Sequence, residues 1–435
     1  MAASALSDVV GLDRRVLILA FARMTDSVGN SFLIVVLPLY IASDAVAGGT
    51  FGLSEALVTG IILSMFGFFN SFGQPFTGRF SDRLGRRKVF VLLGLALLGV
   101  ADFAYSLAGS YPSLLLIRAV QGVGAAFTIP ATIALVNEYA TSQNRGGNMG
   151  IFNTLRLIGF GSGPVVAGVV IDRGPYVLSV GGGTMRVSGF DAAFYVAAAT
   201  AFLSFTLVSW FVADTGNAGA SAGEDLSIAV LDRGGEHTLD PIFTLGLASL
   251  FMAVGIALLS AIEPDVNARL GQGPTLFGIQ FGAFIGAQVL LQTPIGRASD
   301  RYGRRPFILF GLAILVPSTV AQGLVTLPWE MVVARFTQGI AGAMVFAPAL
   351  ALAGDLARHG DSGTKLSVLT MSFGLGLALG PLASGYLVQF GFVVPFALGA
   401  ALAAVGLVLV WSQVEETVSP PGAEEESAPA PQAGS

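Results

Sequence analysis

The sequence has no cysteine, so disulfides and thiolate metal sites are excluded. Charge is scarce. Asp, Glu, Lys and Arg make up 11% of the 435 residues, against about a quarter in a soluble domain. Lysine is nearly missing: Lys88 and Lys365 stand among 22 basic residues. Histidine is as rare, and His237 and His359 both fall in polar segments. No G-x-x-x-x-G-K-[ST] phosphate loop and no H-E-x-x-H occurs, so an ATP-driven pump and a zinc hydrolase lack their signatures. An intramembrane hydrolase needs a buried nucleophile with a base, or metal ligands, and no apolar run supplies histidine for either. The expectation is a chain with no enzyme activity, no cofactor and no metal.

Apolar residues are what the chain has in excess, at 54% with a mean hydropathy of +0.76. Twelve apolar stretches lie at about 16–41, 56–77, 89–109, 112–137, 148–171, 192–213, 241–262, 274–295, 306–324, 328–353, 366–388 and 392–412. Each is near the roughly 20 residues that cross a bilayer as a helix. A β-barrel needs short alternating segments instead, and none appear. The fold class is therefore all-α integral membrane with twelve transmembrane helices. Basic residues set orientation. With the N-terminus inside, fifteen of the 22 fall in cytoplasmic segments and Arg173, Arg186 and Arg269 fall outside. Both termini are expected in the cytoplasm, in the cell membrane. The first apolar run is too long for a secretory signal and lacks a small-residue cleavage site.

The polar stretch from 214 to 240, with its GNAGASAG segment, divides six spans from six. The expected organisation is an N-terminal bundle at 1–213, a linker at 214–240, a C-terminal bundle at 241–413 and a disordered acidic tail at 414–435. A second polar segment, 172–191, carries YVLSV and TMRVS flanking glycines, the pattern of a short hairpin. It is expected to be an ordered outer lid or, alternatively, a binding loop.

The halves repeat. GRFSDRLGRR at 78–87 meets GRASDRYGRR at 296–305, identical at eight of ten positions. At an offset of 217, RAVQG from Arg118 meets RFTQG from Arg335, and GFGSGPVVAG from Gly159 meets GLALGPLASG from Gly376. Glu138 likewise meets Asp355, and at 218 Asn70 and Gln74 meet Gln288 and Gln292. The halves are parallel structural repeats.

These motifs resemble the major facilitator superfamily over nearly the whole chain. The decapeptide fits its G-x-x-x-D-R-x-G-R-R signature and Arg118–Gly122 its R-x-x-Q-G signature. Gly159, Gly163, Pro164 and Gly168 resemble the G-x-x-x-G-P-x-x-x-G signature of the drug:proton antiporter branch. The resemblance implies two six-helix bundles related by a pseudo-two-fold axis. It also implies alternating access, with the decapeptides bracing one bundle against the other on the cytoplasmic side.

Physical chemistry gives each motif a role. Gly78 and Gly85, with Gly296 and Gly303, permit close approach and a tight turn. Asp82 and Asp300 can cap a helix N-terminus. Arg83, Arg86, Arg87, Arg301, Arg304 and Arg305 present forks to acids. Glu138 is expected to pair with the first arginine set and Asp355 with the second. A conformational latch and a simple positive-inside signal are both open readings. In the fifth and eleventh spans, Gly159, Gly163, Pro164, Gly168, Gly376, Gly380, Pro381 and Gly385 offer a small, bent face. That face serves gating against the other half, or packing alone.

Charges within spans are expensive and therefore informative. Arg23 and Asp26 lie three apart on one helix face. Asp26 can carry a proton, or it can form a permanent structural pair. In the resemblance its helix lines the central cavity. Asp102 is expected to cap or sit at an interface. Arg118 matches the family arginine that modulates proton release, and Arg335 is its repeat copy. Arg156, whose copy is Phe373, is expected to line the cavity or neutralise Asp26. Asn30, Asn70, Gln74, Gln121, Gln280, Gln288 and Gln292 are candidate polar lining, with Phe66, Phe68, Phe69, Phe251, Phe281 and Phe284 as aromatic contacts.

The expected function is a proton-driven exporter of small amphipathic compounds. A proton-coupled solute symporter and a non-transporting membrane sensor are the alternatives. Expected partners are the bilayer, a small-molecule substrate and protons, with no nucleic acid, for a chain working as a monomer.

Overall fold

A computed structural model describes residues 14–43, 45–50, 52–139, 145–180, 183–214, 230–231, 238–356 and 362–418. The first half comprises α1 (Arg14–Ile41), α2 (Glu55–Leu84), α3 (Arg87–Ala104), α4 (Tyr111–Tyr139), α5 (Arg145–Arg173) and α6 (Gly189–Phe211). The second comprises α7 (Pro241–Ala257), a short α8 (Glu263–Leu270), α9 (Pro274–Tyr302), α10 (Arg304–Leu324), α11 (Pro328–Leu356), α12 (Ser362–Leu387) and α13 (Val393–Gln413). Twelve of these are long and apolar enough to cross a membrane, among the described residues. The chain is a multi-pass membrane protein.

The expected hairpin is present. β1 (Tyr176–Val180) pairs antiparallel with β2 (Gly183–Val187), Tyr176 opposite Val187. Most of the 214–240 linker and all of 419–435 lie outside the described residues, as do His237 and His359. The proposed disordered tail is corrected at its start. Glu416 accepts from the Arg305 backbone N–H at 2.8 Å, and Thr417 Oγ1 donates to Asp355 at 2.9 Å. An N–H at the start of a helix attracts a carboxylate, which holds these residues against α10.

Both decapeptides are also less of a loop than the hydropathy boundary implies. α2 runs to Leu84 and α9 to Tyr302, so most of each motif is helical. Hydropathy ends a span where charge begins, but backbone hydrogen bonding continues into water. The turn falls on Gly85, at φ +62°, and Gly303, at φ +101°. Only glycine takes that backbone without strain.

Two apolar clusters join the halves, one through Leu157 of α5 with Phe281 and Ile285 and a larger one at the outer end. The larger one combines Phe32, Leu33, Val36 and Leu37 of α1 and Ile62 of α2 with Leu259, Ile262, Val266 and Phe277 of the second half. It lies at the end away from the decapeptides. At the decapeptide end a separate cluster, including Val16, Phe90, Leu135 and Val208, draws its residues from the first half.

Candidate functional site

The closest contact between halves is concentrated in half the depth of the molecule. On one side α2 meets α12: Cβ atoms added at Gly60 and Gly67 would stand 3.0 Å from Pro381 C and 2.9 Å from Ala378 Cα. On the other side α5 meets α9, where a Cβ at Gly278 would stand 2.7 Å from Pro164 C. Gly168 and Gly385 face Thr275 Cα and Ala56 C at 2.6 and 2.8 Å by the same measure. All these residues lie in the helix halves remote from the decapeptides. The bundles are zipped at one end and separate towards the other.

The glycine motif serves two neighbours. Gly159 and Gly163 face Met24 and Ser31 of α1, within their own half. Their copies Gly376 and Gly380 face Leu250 and Ala257 of α7. The expectation that the whole motif faces the opposite half is therefore corrected. The first two glycines fix α5 on α1, and the last, with the Gly-Pro backbone, forms the seam. A motif of small residues reports close approach, not which helix approaches.

At the separated end each decapeptide binds within its own half. Arg87 joins Glu138 at 2.6 Å and Asp82 at 3.0 Å. Arg304 joins Asp355 and, at 3.1 Å, Asp300. Both expected acid partners are correct. The arginines are not repeat copies, since Arg87 corresponds to Arg305. Each is instead the first residue of its helix, because the turn is one residue shorter in the second half. Asp82 and Asp300 take these arginines rather than capping a helix. Arg305 donates to Trp411 O at 2.6 Å, and Arg301 lies over Tyr302. Arg83 and Arg86 are exposed. A Cβ would fit at Gly78 and Gly296, which have no contact closer than 3.7 Å and none within 4 Å. Close approach does not require glycine at either. Glu138→Ala is expected to destabilise the protein by about 1–3 kcal/mol, since it leaves one arm of the buried Arg87 fork unpaired while Asp82 keeps the other. Arg83→Ala is expected to stay within about 0.5 kcal/mol. Unfolding in detergent measures both.

Asp26 pairs with Arg23 on α1, as its spacing implies, and is 4% exposed. It faces a small cavity whose other walls are Val91 and Leu95 of α3, Thr128 and Thr132 of α4, and Val208 of α6. The acid thus looks into the first bundle, not towards the second half. Arg156 does not neutralise it: its Nε and Nη2 donate to Asn153 Oδ1 at 3.1 and 2.9 Å, and its charge opposes Arg23.

A second polar group lies in the same bundle. Gln121 Oε1 accepts from Arg118 Nη1 at 3.0 Å and from the Tyr105 hydroxyl at 2.8 Å, and Gln121 Nε2 donates to Asp102. All four side chains are buried, and Arg118 lies 4.8 Å over the Phe66 ring. Two expectations change here. Asp102 is neither a cap nor an interface residue, and Gln121 does not line a cavity. In the second half Arg335 Nη1 donates to Gln338 Oε1 at 2.6 Å and to Ile256 O at 3.2 Å. Arg335 is wholly buried over Phe281 and Phe284, so these rings shield a cation rather than line a pocket.

Of the remaining polar candidates, Asn30, Asn70, Gln74, Gln288 and Gln292 are half-buried, and Gln74 donates to Asn70 at 3.0 Å. Gln280 is wholly buried at the closed end, exchanging hydrogen bonds with Gln272. Phe68 stacks on Phe72, Phe69 is exposed and Phe251 is half-buried.

The closed end also holds polar contacts that no sequence motif marks. Asp172, ending α5, accepts from the Thr275 N–H at 3.2 Å and from the Thr275 hydroxyl, so it caps α9 across the seam. Glu263 opens α8 wholly buried, and its Oε2 has no hydrogen-bond partner among the described residues. Burial pushes its carboxyl well above the usual glutamate range, Asn267 opposes this by hydrogen bonding, and Asp172 adds to it. A closed end that binds a proton which the hydrated, open end releases is favoured at low pH. Closure weakens as pH rises through the raised value. Spin labels across this seam should report opening as pH is raised, and Glu263→Gln should flatten the response.

The chain matches known proteins end to end. The sequence profile of the Major Facilitator Superfamily matches residues 19–241 and 245–434. The chain is similar to the quinolone resistance protein NorA of Staphylococcus aureus (strain MRSA252), 23% identical over 416 residues, covering 92% of this chain and 97% of the relative. It is similar to the multidrug resistance protein MdtG of Proteus mirabilis (strain HI4320), 22% identical over 399 residues, covering 90% and 93%. Among solved structures, the inward-open xylose transporter XylE from E. coli superposes with a TM-score of 0.70 at 14% identity, covering 92% and 96%.

Proposed function

The chain belongs to the major facilitator superfamily, and we propose that it is a secondary transporter exporting small amphipathic compounds in exchange for protons. The observation that carries this reading is the one-ended seam. Two repeated bundles, zipped at one end and parted at the other, form a carrier open to one side. The basic residues make the parted end cytoplasmic, with both termini there, in the cell membrane. The arginine pairs within each half then belong to the inward-open state, and the latch between bundles forms when that end closes. Relatives named for quinolone and multidrug resistance support an amphipathic cargo and outward export.

Asp26 supports the energy source. It is a buried acid in a membrane-spanning helix, beside a cavity with two threonine hydroxyls. Such an acid is costly to keep and can pass a proton between the two sides. The transporter needs no bound cofactor, carries out no covalent chemistry and works as a monomer. Everted membrane vesicles test this with ethidium as probe. An imposed proton gradient should drive ethidium accumulation, and dissipating it should abolish accumulation. Accumulation that ignores the gradient would reject the reading.

A further inference from the structure

Four positions around Arg118 repeat in the second half at the offset of 217. Asp102, Tyr105, Arg118 and Gln121 correspond to Thr319, Gln322, Arg335 and Gln338. The scaffold is the same in both. The arginine donates to the glutamine carbonyl, and the glutamine amide donates across to the third spanning helix of its half: to Asp102 in one and, at 3.3 Å, to the Thr319 hydroxyl in the other. A neutral hydroxyl therefore fills this place in the architecture. The acid in the first half is not needed to hold α3 on α4.

Keeping it there is costly. Asp102 is 3% exposed near the outer end of α3, packed inside the first bundle, and a buried carboxylate must be compensated. The arginine does not touch it. The Gln121 amide stands between them, with its oxygen committed to Arg118 and Tyr105 and its nitrogen to Asp102. The charged groups facing Asp102 are Arg118 on α4 and Asp26 on α1, and both act on it electrostatically.

We propose that Asp102 is a second proton-carrying residue of the transport cycle, linked to Asp26, and that Gln121 relays its protonation state to Arg118. The proposal rests on the proton-driven reading above. The step is a proton transfer alone. A proton from water adds to a carboxylate oxygen of Asp102, and the same proton later leaves to water on the other side. While Asp102 is charged it accepts from Gln121 Nε2. Once protonated it keeps one accepting oxygen and gains an O–H donor, which finds an acceptor if the amide turns to present its oxygen. Turning the amide would aim its N–H groups at the Arg118 guanidinium, so the chain of bonds opens and Arg118 is released. The second half has no acid at this place, so the switch is one-sided.

The test uses the full chain in proteoliposomes with ethidium as probe. Asp102→Thr, which installs the second half's residue, and Asp102→Asn should each lower gradient-driven accumulation by about tenfold or more. Asp102→Glu should restore part of it with a displaced pH profile. Wild-type accumulation in Asp102→Thr would overturn the proposal. So would equal loss in all three variants with wild-type proton uptake in detergent, the mark of a structural role. If wild type itself ignores the gradient, the proton-driven reading fails first, a different outcome from a driven wild type with an unaffected Asp102→Thr. Should the Asp102 variants not fold, infrared difference spectra of the Asp26→Asn, Glu263→Gln double variant decide. A buried carboxyl signal that appears on acidification supports Asp102 as proton carrier, and its absence overturns the proposal.

Discussion

Replacing Asp26 by asparagine is expected to lower gradient-driven ethidium accumulation by about 100-fold, near the upper end of a typical coupling free energy. The amide has the shape of the carboxyl and keeps an oxygen for Arg23, so the bundle folds around it. What it loses is the exchangeable proton. Asp26 is enclosed by α1, α3, α4 and α6, so its effect must pass through the first bundle's packing rather than by contact with cargo. The competing account is a permanent structural pair with Arg23. That account expects a lower unfolding temperature in Asp26→Asn and transport that still follows the proton gradient. The proton-carrier account expects stability near wild type, no dependence of transport on the gradient, and partial recovery in Asp26→Glu with an altered pH profile. Accumulation measured beside thermal unfolding separates the two.

The second large effect is steric. Gly278→Val places a side chain where Pro164 C and Val165 Cα stand 2.7 and 2.9 Å from the first added carbon. Gly385→Val does the same against Ala56 C and Leu57 Cα at 2.8 and 3.0 Å. Both contacts are backbone on the opposite bundle, so no rotamer change relieves them. Overpacking costs about 1–3 kcal/mol at each site, enough to shift a two-state equilibrium about 5- to 150-fold. The closed outer end bears this cost and the open outer end does not. Each variant should fold, since each bundle keeps its own core, and should dwell outward-open with transport reduced in proportion. The controls are Gly286→Val and Gly354→Val, where an added carbon meets nothing within 4 Å. They should transport as wild type.

The spans were legible because lipid demands about 20 apolar residues in a row, and the twelve expected stretches coincide with helices. Their ends were less so: α2 and α9 each continue seven residues past the expected boundary, since charge ends hydropathy without ending a helix. Arg23 with Asp26 was legible from spacing on one helix, and Glu138 with Arg87 from the repeat. Interactions between helices distant in sequence were harder. Nothing local in LLGVADFAY shows that Asp102 meets Gln121 rather than an interface. The offset of 217 did hold a clue, since it sets Asp102 on Thr319 beside the already aligned arginine and glutamine. Gln280 misled because a buried glutamine bonded at the closed end has the same sequence signature as one lining a cavity. The glycine face of α5 showed that something comes close, and only the structure shows α1 at Gly159 and α9 at Gly168.

The central claim is that the two bundles rock about a seam that closes one end as it opens the other. The absence of cysteine makes it directly measurable, because introduced cysteines are the sole labelling sites. One spin-label pair belongs on Arg79 and Arg297, exposed at the parted end of the two halves, and another on Arg173 and Leu276, exposed at the zipped end. Distances in each pair should be measured by pulsed electron resonance as pH is raised and as ethidium is added. The account predicts opposite signs: whenever the Arg173–Leu276 pair lengthens, the Arg79–Arg297 pair shortens. Distances that stay fixed, or that lengthen together, would contradict it.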